Sequence, residues 1–422
     1  GMQSFGDVIE FNAQDRHLSY LPLPHIFERI VMVGLLVNGA SIGFFRGDAK
    51  LLVEDLVALR PTIMPAAPRV LNKIYDKIMA GIAQAGGLKQ KLFNQALATK
   101  RYNLVHHNQL THSIYDALLF HKVSKALGLD AIRVLVSGSA PLSPNVMSFF
   151  RCLLSAPVIE GYGQTEGSAA ATISHPGDCS TLGHVGGPVD CVEILLADVS
   201  EMGYLRTDTM HNATECRGRG EIWIRGPNVF MKYYKEPEKT AETMEMNIAG
   251  GGWLKTGDVG LWTMEGNLQI IDRKKNIFKL SQGEYVAAEK IENVLMQSRF
   301  IGQCFVYGDS YQSCLVAIIV PDEDVVTSWS SERGNTNTTL SQLCQDAQLR
   351  SEIMQDIKTV SKTNGLHGFE TPKAIYLESE IFGVENGLTT PTFKLKRQQL
   401  KQRYQKDIDR LYAEIPPPSS KL

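Results

Sequence analysis

The chain has 422 residues, of which 43% are hydrophobic and 21% are charged, and its formal net charge at pH 7 is −2. That length exceeds what a single hydrophobic core usually organises, so we expect two domains. The near-neutral charge balance argues against a nucleic-acid partner, and the apolar fraction is that of an ordinary globular protein. Composition therefore favours small-molecule chemistry.

The seven cysteines are scattered along the chain without a Cys-x-x-Cys spacing, which disfavours a zinc site and a disulfide framework. The most apolar stretch, residues 30–45, is interrupted by Asn38 and Gly39 and is too short to cross a bilayer. We interpret it as a buried helix that turns into a strand. Peripheral association with a membrane stays open.

The elements that follow along the chain predict a parallel α/β sheet. Apolar residues recur at helical spacing over residues 70–82, and residues 132–136 alternate as a strand. Ser143 and Pro144 suit the N-cap and the first position of a helix that runs to residue 154. Strand, loop and helix in this order are the building unit of such a sheet.

The pattern changes to short strands separated by glycine between residues 185 and 271, including 221–225 and 268–272, which predicts a small β-rich subdomain. After a basic run come a helix over residues 286–296, strands over 304–307 and 315–320, and further helices. We therefore predict a large domain over residues 1–271 and a smaller α/β domain over residues 272–422, with a hinge at 272–275.

A glycine-flexed loop, residues 160–167, follows the apolar run 157–159 and is expected at the carboxyl end of a strand, where ligands of open α/β sheets bind. Tyr162 offers a flat face to a base, Thr165 a hydroxyl to a phosphate, and Glu166 a carboxylate to Mg²⁺. Taken alone, a glycine-rich turn is more often only a turn.

Three further residues suit the same kind of ligand. Residues 253–258 suggest a polar turn after an apolar pair, and the Asp258 carboxylate at its end could accept hydrogen bonds from both hydroxyls of a ribose. Arg273 follows the predicted hinge and could reach ribose or phosphate oxygens. Lys394 precedes a basic helix, and its ammonium could neutralise charge on a carboxylate that is being activated. The plain alternative for Asp258 is a turn aspartate. For the lysines that neighbour Arg273 and for most charges of the basic helix, it is a solvated surface.

Seven motifs together resemble long-chain fatty acid–CoA ligases, which belong to the adenylate-forming superfamily. The similarity covers nearly the whole chain, from residue 19 to about residue 411, and the motifs occur in the family's order and spacing. The motifs are SGSAPLSP, EGYGQTEG, GHVGGP, RGPNVFMKYY, WLKTGDVG, IDRKKNIFKLSQGEYVAAEKIEN and TPTFKLKR.

The resemblance implies an α/β adenylate-forming fold, with a parallel-sheet large domain, its β-rich subdomain and a smaller mobile carboxy-terminal domain. It implies that a fatty acid is activated with ATP and Mg²⁺ to an acyl-adenylate and then transferred to coenzyme A, with release of AMP. Thr165 and Glu166 would serve phosphate and Mg²⁺, and Asp258 and Arg273 would hold the ribose. The residues that would surround adenine are Gly138, Ser139, Ala140, Gly161, Tyr162 and Gly163.

In the smaller domain, Lys394 matches the lysine that assists adenylation, Asp272 the point about which the domain rotates, and Gly283 the loop that faces the pantetheine channel. His25 resembles a residue of the family's acyl pocket, although a lone histidine among apolar residues is more often a packed core residue. The wider superfamily places glycine before the catalytic lysine, whereas this chain has Phe393, a pattern of the long-chain branch.

The chain departs from the family at its start, because no Ser/Thr/Gly-rich loop ending in lysine precedes Tyr20. In the family that loop grips the β- and γ-phosphates of ATP. We therefore expect a truncated form, inactive by itself. Two alternatives stay open at this stage. One is a non-catalytic protein that binds nucleotide or acyl-CoA. The other is a related enzyme, either a ligase for short or aromatic acids or a luciferase-like relative.

The chain ends on Ser420, Lys421 and Leu422, which is the peroxisomal import address. Prolines at 416–418 hold the preceding residues extended, so residues 415–422 are expected to form an accessible tail. The predicted location is a peroxisome or a peroxisome-derived organelle, and the predicted partner of the tail is the import receptor.

Overall fold

The computed structural model describes residues 9–48, 51–248, 251–334, 338–390 and 394–415. The chain divides into two compact units, Gly1–Ile270 and Ile271–Leu422, which we call the first and the second unit. The division lies next to residue 272, where the sequence predicts a domain boundary. The predicted hinge role of that boundary stays a prediction, and the tail at 416–422 lies outside the described residues.

Up to residue 273, the chain alternates helices and strands before it becomes mainly strands. The helices are α1 (Ile26–Val37), α2 (Leu52–Leu59), α3 (Pro68–Ala85), α4 (Gly87–His107), α5 (Ser113–Tyr115), α6 (His121–Ala126), α7 (Pro144–Leu154) and α8 (Pro237–Thr243). The strands are β1 (Arg16–Ser19), β2 (Ser41–Phe44), β3 (Ile63–Ala66), β4 (Val134–Ser137), β5 (Val158–Tyr162), β6 (Thr172–Ile173), β7 (Gly187–Pro188), β8 (Glu193–Ala197), β9 (Met210–His211), β10 (Thr214–Glu215), β11 (Arg219–Arg225), β12 (Met244–Glu245), β13 (Trp253–Trp262) and β14 (Leu268–Arg273).

The main sheet of the first unit has the strand order β3-β4-β5-β6-β7, and its first three strands are parallel. Ser137, the last residue of β4, lies opposite Glu160 of β5, so the two strands end at the same edge. The helix α7 begins as predicted, with Pro144 in its first turn and the Ser143 hydroxyl accepting a hydrogen bond from the Val146 N–H at 3.3 Å. The predicted strand, loop and helix are confirmed.

The β-rich region forms an antiparallel sheet in the order β12-β13-β11-β8, and β14 pairs with β13. The prediction of a turn at residues 253–258 is wrong, because these residues lie inside the ten-residue strand β13. The register of β13 shifts opposite Glu221 and Trp223, and Gly257 adopts a φ of 74° within it. A bulge of this kind carries the turn-like sequence without ending the strand.

Residues 30–45 form the end of α1 and then β2, as predicted, but they are not buried throughout. Leu35 packs in the core, whereas Leu36 and Val37 are 55% and 71% exposed and Phe44 is 76% exposed. Only one side of α1 contacts the rest of the unit, which is how an amphipathic helix packs. The outer side is an apolar surface.

The second unit is α+β and is built around a three-stranded sheet in the order β17 (Ile301–Tyr307), β18 (Val316–Pro321) and β19 (Ala374–Leu377). Every residue of the central strand β18 is buried. The predicted helix over 286–296 begins later, at residue 288, because Val286 belongs to a strand that pairs with Phe278 in a hairpin. The elements are β15 (Ile277–Lys279), β16 (Tyr285–Ala287), α9 (Ala288–Leu295), β17 (Ile301–Tyr307), β18 (Val316–Pro321), α10 (Glu323–Ser331), α11 (Leu340–Leu343), α12 (Ala347–Thr363), β19 (Ala374–Leu377) and α13 (Arg397–Glu414).

All seven cysteines are free thiols, and all except Cys191 are buried. Burial raises the pKa of the Cys152 and Cys344 thiols to about 11 and also raises the pKa of Cys179 and Cys314. In the described part of the chain, no helix combines the length and the apolar character that a membrane span needs.

Candidate active site

The loops that follow β4 and β5 lie against each other at the edge where both strands end. Gly138 directly follows β4 and is buried, and a Cβ atom at this position would lie 3.4 Å from the carbonyl oxygen of Gly161. Ser139 has a φ of 73°, in the left-handed region that non-glycine residues adopt infrequently, and Ala140 is exposed. The structure thus brings together both segments that the sequence predicts around adenine.

Glu160 ties these two loops to each other, although sequence analysis assigned it no role. Its Oε1 accepts a hydrogen bond from the Leu142 N–H at 2.9 Å, and its own N–H donates to the Ser174 hydroxyl at 2.8 Å. Burial raises the pKa of the Glu160 carboxyl to about 7. A charged residue directly after the apolar run 157–159 was the signal that could have identified it.

Replacing Glu160 with glutamine is expected to change how stability depends on pH. Because the pKa of Glu160 is raised in the folded protein, the free energy of unfolding that it contributes is complete below about pH 4.5 and is lost as the pH rises through about 7. The amide oxygen of the introduced glutamine would still accept a hydrogen bond from the Leu142 N–H. Above about pH 7, the free energy of unfolding of Glu160→Gln should therefore exceed that of the unaltered protein by up to about 3 kcal/mol.

Urea unfolding at about pH 5 and about pH 8 measures this difference. The control is Glu238→Gln, since Glu238 is exposed on α8. An equal stability difference between Glu160→Gln and the unaltered protein at both pH values would contradict the titration of Glu160 in this range.

The loop after β5 closes so tightly that only glycine fits at position 163. A Cβ atom on Gly163 would lie 1.7 Å from the carbonyl oxygen of Ala169. The closure is held from both sides, because the Ala169 N–H donates to the Gln164 carbonyl at 3.1 Å and the Asn228 side chain donates to the Gly167 carbonyl at 2.7 Å. Backbone therefore approaches backbone directly beside Tyr162.

Tyr162 and Asp258, which are 96 residues apart in sequence, are in direct contact. The Tyr162 hydroxyl donates to Asp258 Oδ2 at 2.7 Å, and both side chains are half-buried. The backbone beside the carboxylate is fixed by Thr256, whose hydroxyl accepts from the Asp258 N–H at 3.1 Å and donates to the Ile222 carbonyl at 2.6 Å. The structure thus places the predicted base-stacking ring beside the predicted ribose-binding carboxylate.

Glu166 is oriented by Tyr233, which sequence analysis singled out only as part of the motif RGPNVFMKYY. The Tyr233 hydroxyl donates to Glu166 Oε1 at 2.6 Å, and burial together with this carboxylate raises the pKa of Tyr233 to about 12. The Phe230 N–H donates to the Glu166 carbonyl at 2.7 Å, and the Lys239 ammonium lies 4.3 Å from the Tyr233 ring centre. Thr165 is exposed in the same short 3₁₀ turn.

Among the residues that the structure describes, no three His, Cys, Asp or Glu side chains are grouped closely enough to hold a metal ion. Mg²⁺ that accompanies a nucleotide is commonly held by one or two carboxylates and the substrate phosphates, so it needs no such group. Glu166, a half-buried carboxylate with a fixed orientation, has the chemistry that this arrangement requires.

His25 forms the N-cap of α1, where its Nδ1 accepts a hydrogen bond from the Phe27 N–H at 3.3 Å. The Phe27 ring lies 3.5 Å from the position that a Cβ atom on Gly138 would occupy. His25 therefore begins the helix that packs beside the predicted adenine loop. Its role in binding an acyl chain stays a prediction.

In the second unit, Asp272 is 3% exposed and its carboxylate is fully engaged with backbone groups. Oδ1 accepts from the Arg273 N–H at 2.6 Å, and Oδ2 accepts from the Glu289 N–H at 2.9 Å in the first turn of α9. Arg273 itself is exposed. Gly283 lies in the exposed turn between β15 and β16, where its φ of 104° favours glycine.

Lys394 is half-buried in the loop that precedes α13. Its N–H donates to the Thr390 hydroxyl at 3.0 Å, and its carbonyl accepts from the Thr390 N–H at 2.9 Å. Phe393, which the resemblance associates with the long-chain branch, lies outside the described residues. The loop therefore holds the backbone of the predicted catalytic lysine through two hydrogen bonds to one residue.

A family model described as AMP-binding enzyme matches residues 1–234, more than half of the chain. The chain belongs to the AMP-binding enzyme family. This AMP-binding enzyme is 44% identical over 404 residues to long-chain-fatty-acid–CoA ligase 1 of Cavia porcellus, an alignment that covers 96% of the chain and 55% of that relative. It is also 44% identical over 407 residues to the peroxisomal long chain acyl-CoA synthetase 6 of Arabidopsis thaliana, with 96% and 56% covered. The chain thus spans about half the length of the curated relatives it matches.

Solved structures share the fold of this AMP-binding enzyme. The adenylation domain of a carboxylate reductase from Mycobacterium chelonae matches with a TM-score of 0.75 and 27% identity, over 95% of the chain and 54% of that structure. A carboxylic acid reductase domain from Segniliparus rugosus, in complex with AMP and a co-purified carboxylic acid, matches with the same TM-score and identity over 95% and 55%. The adenylate-forming α/β fold predicted from the sequence is confirmed.

Proposed function

We propose that the protein to which this chain belongs activates long-chain fatty acids with ATP and transfers them to coenzyme A. The observation that carries the proposal is the contact between Tyr162 and Asp258 beside the closed glycine loop. A flat ring next to a fixed carboxylate suits a nucleoside, whose base stacks and whose ribose donates two hydroxyl hydrogens. The names of the two relatives, a long-chain-fatty-acid–CoA ligase and a long chain acyl-CoA synthetase, supply the substrate class.

The reaction has two steps. An oxygen of the fatty acid carboxylate attacks the α-phosphorus of ATP, and the bond from that phosphorus to the leaving pyrophosphate breaks. The sulfur of coenzyme A, having lost its proton, then attacks the acyl carbonyl carbon, and the bond to AMP breaks. Each step develops negative charge on oxygen, so donors and cations aimed at those oxygens accelerate it.

In the first unit, the nucleotide roles fall on the two adjoining loops and on Asp258. Tyr162 stacks on adenine, and Asp258 accepts hydrogen bonds from the ribose. Thr165 donates its hydroxyl to a phosphate oxygen, and Glu166 would hold Mg²⁺, which would neutralise phosphate charge. The loop residues that border adenine are Gly138, Ser139, Ala140, Gly161 and Gly163.

In the second unit, Lys394 neutralises the carboxylate during the first step, and Arg273 adds donors for the ribose. The unit turns about Asp272 between the steps, after which the turn at Gly283 faces the pantetheine arm of coenzyme A. His25 belongs to the first unit and borders the acyl chain. The support for these five roles is the motif resemblance together with the engaged carboxylate of Asp272 and the closed loop of Lys394.

An acyl-CoA formation assay on the open reading frame that contains this chain tests the proposal, with fatty acids of increasing length and with short and aromatic acids. We expect turnover of long-chain acids that requires both ATP and coenzyme A. Asp258→Asn should lower kcat/KM for ATP by about 10- to 100-fold, the loss expected for hydrogen bonds to a charged group, whereas Asp190→Asn, at an exposed position, should not. AMP binding without turnover of any acid would instead identify a non-catalytic binding protein.

We also propose that Ser420, Lys421 and Leu422 direct the protein to peroxisomes, which the name of the peroxisomal Arabidopsis thaliana relative supports. Deleting Lys421 and Leu422 is expected to leave a fluorescent fusion protein in the cytosol, because the import receptor reads the complete tripeptide. Fluorescence microscopy measures the distribution. Replacing the exposed Lys406 with alanine is the control, and unchanged punctate import of the deletion variant would rule out the tail as the signal.

A further inference from the structure

The loop that carries Lys394 is closed at its base. The Lys396 N–H donates to the Leu388 carbonyl at 2.9 Å, and Thr389 and Leu395 form an antiparallel bridge between the two arms. The base of the loop therefore includes Lys396, the residue directly before α13 begins at residue 397. Whatever fixes the start of α13 also fixes the base of the loop.

Arg397, the first residue of α13, anchors that point in the core of the second unit. Its side chain is 18% exposed, and Nη2 lies 2.6 Å from Oε1 of Glu292 on α9. Nη1 donates to the Val306 carbonyl on β17 at 3.1 Å, and the guanidinium lies 5.4 Å from the centre of the Phe305 ring. These contacts join α13 to one helix and one strand.

The position of Arg397 is unfavourable for an isolated helix. Cations are disfavoured at helix N-termini, where the backbone dipole is positive, and α13 has neither a side-chain cap nor an acidic residue in its first turn. The compensation comes from Glu292, which is buried and whose Oε1 also accepts from the Val306 N–H at 2.8 Å. The Glu292 carboxylate therefore stabilises the Arg397 guanidinium at this helix N-terminus.

The same helix, α9, reaches the predicted hinge. The carboxylate of Asp272 accepts from the Glu289 N–H in the first turn of α9, one turn before Glu292. The positive charge of Arg397 acts on Asp272, Glu289 and Glu292. Burial, together with the neighbouring Glu289, raises the pKa of Asp272, and burial raises the pKa of Glu292 to about 7. Removing the guanidinium would leave three carboxyl groups without that charge.

We propose that Arg397 is a positioning residue for adenylation, because its pairing with Glu292 fixes the Lys394 loop to the helix that Asp272 caps. The lysine and the hinge residue then move as one body. This inference rests on the proposed role of Lys394. A displacement of a reacting group by about 1 Å typically slows a reaction on the order of 10²-fold, so the anchor acts on rate without touching substrate.

The test compares the two half-reactions in the active form of the protein encoded by the full open reading frame. Arg397→Met removes the charge and keeps the length of the side chain. The double variant Arg397→Met with Glu292→Gln also removes the opposing charge, while the amide oxygen still accepts from Val306, so it should keep the fold. Arg410→Met is the matched control, since Arg410 lies on the same helix with a side chain that is 54% exposed.

We expect the double variant to have the unfolding midpoint of the control and to form acyl-adenylate at least about tenfold more slowly. Thioester formation from supplied acyl-adenylate should stay within about twofold of the control. Arg397→Lys, which keeps a charge without the planar fork, should recover part of the lost rate. Arg410→Met should leave both half-reactions unchanged.

Two results would overturn the proposal. If the double variant folds and forms acyl-adenylate at the control rate, Arg397 is only a structural residue. If both half-reactions slow equally, the substitution affects the whole enzyme and not the position of Lys394 in adenylation. Lys394→Ala distinguishes these results from failure of the proposed function, because a normal adenylation rate in that variant would remove the lysine that Arg397 is proposed to position.

Discussion

Replacing Lys394 with alanine is expected to slow acyl-adenylate formation by about 10²- to 10³-fold, the usual effect of removing one group that stabilises charge in a transition state. The ammonium is needed while the carboxylate attacks ATP and has no role once the adenylate exists. Thioester formation from supplied acyl-adenylate should therefore stay within about threefold. Both hydrogen bonds to Thr390 use main-chain atoms of Lys394, so alanine preserves them.

Single-turnover measurements of pyrophosphate release and of acyl-CoA formation separate the two steps. Lys406→Ala removes an exposed lysine from the following helix and is the control for loss of one positive charge. Equal losses in both half-reactions would assign Lys394 a structural role and contradict its role in adenylation.

Replacing Gly163 with alanine is expected to abolish most nucleotide binding and to reduce acyl-CoA formation by at least about 10²-fold. The added methyl group would lie 1.7 Å from the Ala169 carbonyl oxygen, so the loop backbone must open to admit it. That movement displaces Tyr162, the residue directly before Gly163, and with it the hydrogen bond between Tyr162 and Asp258. No rotamer relieves the overlap, because both partners are backbone or Cβ atoms.

Binding of AMP, measured by calorimetry, and acyl-CoA formation are the two readouts. Gly81→Ala is the control, since a Cβ atom at Gly81, on the exposed side of α3, meets nothing within 4 Å. The unfolding midpoint shows whether the first unit stays folded. Unchanged AMP affinity in folded Gly163→Ala would mean that this loop lies away from the nucleotide.

The elements that sequence predicted well are those specified by local rules. Ser143 and Pro144 start α7 because a capping hydroxyl and a fixed φ act over one turn of backbone. The buried strand β18 was recognisable because a continuous apolar run is typical of a core strand. Residues 253–258 were misread as a turn because their partner strand, with its shifted register at Glu221, is distant in sequence.

The candidate site divides in the same way. The positions of Tyr162, Glu166 and Asp258 could be proposed from motifs, because glycine spacing and residue type survive in sequence. The residues that hold them could not, since Glu160, Tyr233 and Arg397 act through hydrogen bonds and ion pairs to other elements. A pairing across 67 residues, such as that of Tyr233 with Glu166, leaves no periodic pattern in the sequence.

Because most of the cysteines are buried, the rate at which reagents modify their thiols reports how often the surrounding structure unfolds. Peroxides and alkylating reagents react with the thiolate, and burial keeps the Cys152 and Cys344 thiols protonated and covered. Cys191, the half-buried thiol, is the site at which the folded protein meets such reagents first. Because Cys152 lies in the first unit and Cys344 in the second, their rates of modification record the opening of each unit separately, so oxidation of these two thiols would track unfolding, whereas oxidation of Cys191 would not.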